Sequence, residues 1–229
     1  MRTETIGSVG VGKSTLSSSL ESYFLRRSPE PFWSFAYDGI EDNLPFQFFR
    51  ERPGDFHLEK NAVFLINHAS LIKSRQRDRQ PLLCDFALVA DLAYGDLGED
   101  AYGGPGGAVL ASIYDWLSHE IGPADCLIWL TCDLERQLER IRMRARDYET
   151  QGLAEDAMQF PYSAAYVTRL NELLEQRVAQ HSRAIPVIRI DTSDKATSEW
   201  PDEWLEMIVG CIDRAISAGR SIDLRFPPS

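Results

Sequence analysis

The sequence predicts an α/β protein in which a five-stranded parallel sheet is flanked by helices. Short apolar runs alternate along the chain with longer segments of helical character, which is typical of strands joined by crossover helices. A glycine-rich phosphate-binding pattern follows the first predicted strand directly. The sequence shows neither an internal repeat nor a long linker, so we expect a single domain over residues 1–229.

The predicted elements follow one another in a regular order. Strands are expected at 2–6, 33–37, 81–85, 125–131 and 186–190. Helices are expected between them, at 14–27, 55–73, 109–121, 134–148, 164–181 and 201–218. The glycine and proline cluster at 103–107 predicts a loop, because neither residue sustains a helix.

The first predicted strand is unusual because Met1-Arg2-Thr3-Glu4-Thr5-Ile6 is mostly polar. A strand in a parallel sheet is normally buried on both faces and therefore apolar. Either this strand is short and partly solvent-facing, or the natural chain begins upstream of Met1. We prefer the second explanation.

The segment from Gly7 to Ser14 matches the phosphate-loop pattern G-x-x-x-x-G-K-[ST]. Glycines allow successive backbone N–H groups to point at phosphate oxygens, a lysine faces the β- and γ-phosphates, and a hydroxyl binds Mg²⁺. The positive end of the following helix faces the same anion. The alternative is a flexible glycine-serine turn, but the pattern is too specific for us to prefer it. The predicted ATP-binding residues of this loop are Gly7, Gly10, Val11, Gly12, Lys13, Ser14 and Thr15.

Composition excludes several classes of function. The formal net charge of −11 argues against broad binding to nucleic acid or to anionic lipid. The four cysteines form no C-x-x-C pair and have no nearby histidine at zinc-ligand spacing, so we expect reduced thiols in a cytoplasmic protein. No apolar run approaches the length of a membrane span.

A carboxylate at the end of the third predicted strand is the preferred metal ligand. Asp85 closes the apolar run Leu82-Leu83-Cys84, and ligands of parallel sheets bind beyond the strand ends. There it would hold the Mg²⁺–phosphate complex together with Ser14. Asp133 after the fourth strand is the weaker candidate, because it equally suits the cap of the next helix.

An arginine-rich helix is predicted to close over the phosphates. Arg136, Arg140 and Arg144 share one helix face by their spacing, and Arg142 and Arg146 share another. Guanidinium groups bind phosphate in a fork geometry and stabilise charge on a transferring phosphoryl group. The alternative is a solvated helix of ion pairs, but the arginine excess grows towards the C-terminal end, so we prefer a lid.

The region from Phe32 to Phe64 is rich in aromatic residues, which suit a flat base or simply core packing. Three carboxylates, Asp38, Glu41 and Asp42, follow the second predicted strand. A general base that accepts the proton of a substrate hydroxyl is expected near there.

Taken together, residues 7–191 resemble the deoxynucleoside kinases, which have a P-loop kinase fold. Beside the phosphate loop, the resemblance rests on 43–49 with Arg52-Pro53, on Asp85-Phe86 with Asp91, on the arginine-rich segment 140–149, and on 165–171. It implies ATP and Mg²⁺ as cofactors, a nucleoside as the acceptor, and a homodimer.

The resemblance also implies residue roles. Lys13, Ser14 and Asp85 would hold the phosphates and the metal, and Lys13 and Arg144 would act in catalysis. The lid arginines that would contact ATP are Arg140, Arg144 and Arg146. The residues that would bind the acceptor are Asn61, Asp91 and Glu149.

Three positions depart from the family pattern. Asp38 replaces the catalytic glutamate of the family. Asn61 replaces the glutamine that pairs with the nucleoside base, and His68 replaces a nearby arginine. These departures imply an altered pocket, a different substrate or a loss of activity.

Two other functions remain as alternatives. One is a nucleoside monophosphate kinase of the thymidylate type or another small-molecule kinase, with Arg50, Arg52 or Arg75 holding an acceptor phosphate. The other is a nucleotide-binding regulatory module that does not catalyse transfer. A GTPase is disfavoured, since the sequence contains no N-K-x-D motif.

Overall fold

The computed structural model describes residues 1–27, 33–37, 52–104, 106–150, 162–194 and 200–224. For residues 145–150 and for Pro53 and Asp78, the description covers the backbone alone. In these ranges the strands are β1 Arg2–Ile6, β2 Ser34–Ala36, β3 Leu82–Cys84, β4 Cys126–Thr131, β5 Val187–Asp191 and β6 Ile222–Leu224. The helices are α1 Lys13–Arg27, α2 Pro53–Arg75, α3 Leu88–Tyr102, α4 Gly106–Ile121, α5 Leu134–Thr150, α6 Ala164–His181 and α7 Asp202–Ala218.

All six strands form one parallel sheet in the order β2-β3-β1-β4-β5-β6. The predicted α/β class and parallel sheet are therefore confirmed, but the predicted number of five strands is wrong. The sixth strand is only three residues long and partly exposed, with Asp223 at its centre. So short a polar segment has no periodicity by which the sequence could indicate a strand.

Helices cover both faces of the sheet. Alternate strand residues point to opposite faces, so in β4 Ile128 packs with α1 and α7, whereas Leu127 packs with α3 and α6. Helices α2 and α4 cover the β2–β3 end of the second face. No helix in the described ranges is long and apolar enough to cross a membrane.

Helix ends follow from local sequence. Pro53 lies in the first turn of α2, where its missing N–H costs no hydrogen bond. The Ser163 side chain accepts the N–H of Tyr166 at the start of α6. Helix α7 ends at Gly219, whose φ of 60° is left-handed.

Helix α3 is the one α-helix in the described ranges that the sequence did not predict. It is buried on most sides, so it lacks an amphipathic period, and two glycines lower its apparent helix propensity. The structure explains these glycines by close approach. A Cβ on Gly95 would lie 2.4 Å from Leu110 Cδ1, and a Cβ on Gly98 would lie 2.9 Å from His57 Cδ2.

The glycine cluster forms a shorter loop than predicted. Helix α4 begins at Gly106 rather than at residue 109, so Gly106 and Gly107 lie in its first turn. The Gly107 N–H donates to Glu99 Oε2 at 2.7 Å. Because Glu99 satisfies a backbone donor at the start of α4, the helix begins although its first residues are glycines.

Strand β1 is buried along its whole length, so the alternative of a partly solvent-facing strand, which we did not prefer, is wrong. Its two charged side chains, Arg2 and Glu4, pair with each other and contact the neighbouring helices. Arg2 Nε lies 2.9 Å from Glu4 Oε1, and the Arg2 guanidinium donates to the carbonyls of Ile121 and Gly122 at the end of α4. Glu4 Oε2 accepts the N–H of Leu88 at the start of α3. A polar sequence is thus compatible with a central strand here.

Candidate functional site

The predicted phosphate loop joins the end of β1 to α1, which begins at Lys13. Gly10 and Gly12 have φ angles of 81° and 97°, which favour glycine. A Cβ on Gly7 would lie 2.8 Å from the carbonyl oxygen of Leu130, so a side chain does not fit there. By contrast, no atom lies within 4 Å of the position that a Cβ on Gly12 would take. The loop therefore presents open backbone at the N-terminus of a helix, which suits an anion.

Lys13 folds back over this loop. Its Nζ donates to the carbonyl of Gly7 at 2.8 Å and to that of Ser8 at 3.1 Å. Ser14 is exposed in the first turn of α1, beside Lys13. A cation and a hydroxyl thus stand where the sequence predicts contacts with phosphate and Mg²⁺.

Two acidic positions lie at the same edge of the sheet as the loop. Strands β1, β3 and β4 are parallel, with Glu4 beside Cys84, so Gly7, Asp85 and Asp133 all follow strand ends at one edge. The Asp85 N–H donates to the carbonyl of Ala36 at 3.1 Å, which fixes the chain where it leaves β3. Asp85 is buried, whereas Asp133 is exposed and its carbonyl accepts the N–H of Gln137 in α5. Asp133 therefore belongs to the start of that helix.

These positions fit a metal that is held mainly by substrate phosphates. The described residues contain no cluster of three or more His, Cys, Asp or Glu side chains that would hold a metal. Mg²⁺ commonly uses one or two protein oxygens with substrate phosphates and water. The Ser14 hydroxyl and the Asp85 carboxylate are oxygen donors of this kind.

The predicted general base, Asp38, lies outside the described residues, as do Glu41 and Asp42. The preceding strand is described, and its last residue, Ala36, pairs with Cys84. The next residue, Tyr37, donates its hydroxyl to Glu21 Oε2 at 2.6 Å. Burial and the nearby Glu21 carboxylate raise the pKa of Tyr37, so this phenol stays protonated at neutral pH.

Helix α5 carries the predicted lid arginines, and the structure divides them. Arg136 pairs with Glu139 on the exposed surface, as in the solvated alternative. Arg140 donates to the hydroxyl and the carbonyl of Thr192, at 3.0 and 2.6 Å. Arg144 is exposed one turn later. Arg146 and Glu149 lie in the helical segment whose side chains are outside the description.

Three residues that the family pattern singles out meet between α2 and α3. His68 Nδ1 lies 2.8 Å from Asp91 Oδ2, and both side chains are buried. The His68 ring stacks on Phe86 with ring centroids 3.9 Å apart. Asn61 of α2 donates to the carbonyl of Tyr94, which lies one turn after Asp91 in α3, at 3.2 Å. The departures at Asn61 and His68 are thus accommodated by hydrogen bonds with α3.

Sequence reasoning missed two charged residues near this group. Lys60 lies beside Asn61, with its Nζ 5.9 Å from the centre of the Phe64 ring. Burial lowers its pKa to about 8, and the Asp91 carboxylate partly opposes that effect. Burial likewise raises the pKa of Glu4, and Arg2 partly opposes the rise. The local sequence pattern does not indicate that Glu4 is buried or that Lys60 is half-buried.

Two residues outside any sequence motif also make hydrogen-bond contacts with the phosphate loop. Gln137 donates from its side chain to the carbonyl of Val9 at 2.6 Å. The Thr192 hydroxyl lies 3.2 Å from the carbonyl oxygen of Val11. Both residues come from distant parts of the chain, so only the fold reveals their contact with the loop.

One comparison with known proteins identifies a family. A sequence profile described as deoxynucleoside kinase matches residues 5–209. None of the curated proteins matches the chain at a significant level.

Solved structures of a deoxyadenosine kinase from M. mycoides are similar in fold. The structure with bound dCTP has a TM-score of 0.68 and 17% identity, and the one with bound dATP has 0.67 and 18%. A third, with the products dCMP and a flexible dCDP, has 0.65 and 16%. Each match covers 93% of this chain and 100% of the other.

Proposed function

This chain belongs to the deoxynucleoside kinase family, and we propose that it transfers the γ-phosphoryl group of ATP to the 5′-hydroxyl of a deoxynucleoside or nucleoside. The observation that carries the proposal is the family match over 5–209, which includes a phosphate loop of the required geometry. The active unit is a single domain over residues 1–229. A phosphate loop alone would support many nucleotide-dependent activities.

The donor side of the reaction is assigned to the loop and the lid. Backbone N–H groups of Gly10 to Thr15 and the Lys13 ammonium bind the ATP phosphates. Ser14 and Asp85 hold Mg²⁺, which supplies charge neutralisation at the phosphates when it is bound. The lid residues that contact the transferring group are Arg140, Arg144 and Arg146. Phosphoryl transfer requires mainly positioning and electrostatic stabilisation, and these residue types supply both.

The lid arginines Arg140 and Arg144 are assigned different roles. Arg140 already donates to the hydroxyl and the carbonyl of Thr192, so its guanidinium is held against that residue. Arg144 lies on the exposed surface of the same helix. We therefore assign the catalytic lid contact to Arg144.

The acceptor side is assigned to α2, α3 and the acid after β2. Asp38 accepts the proton of the 5′-hydroxyl, while Asn61 and Asp91 bind the base and Glu149 binds the sugar. The His68–Asp91 pair supports this assignment, because it fixes a buried carboxylate in one orientation on α3, one turn before the Tyr94 carbonyl that Asn61 contacts. The M. mycoides deoxyadenosine kinase of similar fold has dCTP bound in one structure and dATP in another, so acceptors with different bases belong in the test.

The test is a transfer assay with Mg-ATP and a panel of deoxynucleosides, ribonucleosides and their monophosphates. We expect a monophosphate product from at least one nucleoside, and none with Lys13→Ala. The matched control is Lys73→Ala, which removes an exposed lysine that pairs with Glu120 on the surface. Product from monophosphates alone would replace this proposal with a nucleotide kinase. ATP binding without any product would indicate a regulatory relative.

We further propose that the enzyme is a homodimer in the cytoplasm, as the family resemblance implies. Light scattering coupled to size exclusion tests the first part, with an expected mass of twice 26.0 kDa. A monomeric mass at assay concentration would contradict it.

A further inference from the structure

The outer side of the phosphate loop rests directly on helix α5. A Cβ on Gly10 would lie 3.0 Å from both the carbonyl oxygen of Gln137 and Cγ1 of Ile141. The Gln137 side chain is fully buried at this contact, with 0% of its surface exposed. The loop and the helix therefore touch through backbone, with no space for a water layer between them.

Gln137 joins three segments by two hydrogen bonds. Its Nε2 donates to the carbonyl of Val9 at 2.6 Å, and its Oε1 accepts from Nδ2 of Asn171 in α6 at 3.0 Å. The orientation of the amide follows from chemistry. A carbonyl oxygen only accepts, so the nitrogen of Gln137 must face Val9, which leaves its oxygen for Asn171.

This contact fixes the direction of a phosphate-facing donor. In a trans peptide the C=O of one residue and the N–H of the next lie in one plane and point in opposite directions. Anchoring the Val9 carbonyl on Gln137 therefore turns the Gly10 N–H away from α5. Gly10 has a φ of 81°, a region open mainly to glycine, and glycine restricts the orientation of this peptide less than any other residue would.

The neighbouring peptide is held less firmly. Thr192 Oγ1 lies 3.2 Å from the Val11 carbonyl and 3.0 Å from that of Thr131. Its single proton can serve only one of these acceptors at a time. Gln137 thus provides the dedicated contact on this side of the loop.

We propose that Gln137, supported by Asn171, is a positioning residue for ATP: it aims the Gly10 N–H at the nucleotide phosphates. The inference rests on the proposed function, because it assumes that the loop binds ATP. It also gives α5 two roles. The helix holds the loop through Gln137, and seven residues later it carries Arg144, so one helix contacts both the loop and the transferring phosphate.

The test is the dissociation constant of Mg-ATP, measured by calorimetry on the whole protein without an acceptor. Gln137→Met keeps an unbranched side chain of similar length but removes both hydrogen bonds. We expect Mg-ATP to bind about fivefold to tenfold more weakly, since a single buried hydrogen bond contributes on that scale. Acceptor affinity should stay within about twofold, because Gln137 acts only on the donor side.

Two further variants keep the test decisive if Gln137→Met folds poorly. Asn171→Ala leaves the Val9 contact in place but removes its support, so it should weaken ATP binding by a smaller factor. Gln76→Met is the matched control. Gln76 Nε2 donates to the carbonyl of Ile121 at 3.0 Å, on the opposite edge of the sheet from the phosphate loop. This variant should bind ATP like the unmodified protein.

The outcomes separate the inference from the function on which it rests. Selective loss of ATP affinity in Gln137→Met and Asn171→Ala would support the positioning role. Unchanged ATP affinity in a folded Gln137→Met variant would overturn it and leave the kinase proposal standing. An equal loss of affinity for ATP and acceptor would overturn it in favour of a general structural role. If the unmodified protein does not bind Mg-ATP, the proposed function itself fails.

Discussion

Replacing Arg2 by methionine tests how a central strand tolerates two buried charges. Methionine keeps an unbranched apolar stem but removes the ion pair with Glu4 and the hydrogen bonds to Ile121 and Gly122. The Glu4 carboxylate would stay buried without its cation. Breaking a buried pair in this way typically costs about 3–5 kcal/mol of unfolding free energy.

The loss of unfolding free energy in Arg2→Met should depend on pH, because a protonated Glu4 is neutral and no longer needs a cation beside it. Burial raises the Glu4 pKa above its ordinary value of 4.5, and Arg2 partly opposes the rise. Without Arg2 the folded-state pKa should rise further. Between 4.5 and that higher pKa, folded Glu4 keeps a proton that the unfolded chain has released. Stability therefore falls as pH rises through this window, by at most about 1.4 kcal/mol per pH unit.

Urea unfolding of both proteins at pH 5.5 and pH 8 measures this effect. We expect Arg2→Met to be destabilised at both values, and more at pH 8 than at pH 5.5. The control is Arg26→Met, which breaks an exposed pair with Asp202 and should cost less than about 1 kcal/mol at either pH. A loss for Arg2→Met that is equal at both pH values would refute the reasoning about Glu4.

Three further predictions concern activity. Lys13→Ala should abolish transfer while the melting temperature stays within a few degrees; full activity would remove the phosphate loop from the mechanism. Asp38→Asn should lower kcat about 100-fold or more with little change in nucleoside KM, as expected for a general base, and an unchanged kcat would assign the base to another acid. Asp91→Asn should raise the nucleoside KM about tenfold or more but leave the ATP KM unchanged; equal changes in both would contradict base binding.

Much of the fold could be predicted because its signals are local. The phosphate loop is a contiguous motif, and the helices that follow it are amphipathic or end at clear breakers. For this reason the predicted ranges of α1, α6 and α7 differ from the observed ones by at most one residue at each end. The convergence of Gly7 and Asp85 at one edge also followed from parallel strands alone.

The remaining elements depend on contacts that a linear pattern does not show. Helix α3 contains glycines because Leu110 and His57 pack closely against it. The sequence alone does not show these contacts, so its glycines argue against a helix. Strand β1 is polar because Arg2 and Glu4 bridge to the ends of two helices. The sequence displays the charges but not the partners that satisfy them.

The candidate site divides in the same way. Family motifs indicated Asn61, His68 and Asp91, and the structure shows that they share the α2–α3 contact. Gln137 belongs to no motif, and its role depends on the distance from its amide to the loop in the folded chain. The residues expected to bind a ligand here belong to sequence motifs. A residue that orients the loop, such as Gln137, is recognised by its distance to the loop in the folded chain.

The most direct test of the proposed chemistry is the identity of the product formed from Mg-ATP and the best nucleoside acceptor. Phosphorus NMR and mass spectrometry of the purified product locate the new phosphate. The account predicts a nucleoside 5′-monophosphate, with the phosphorus coupled to the two 5′ protons and one ADP formed for each product molecule. A phosphate at another position, or ATP consumed without any phosphorylated nucleoside, would contradict it.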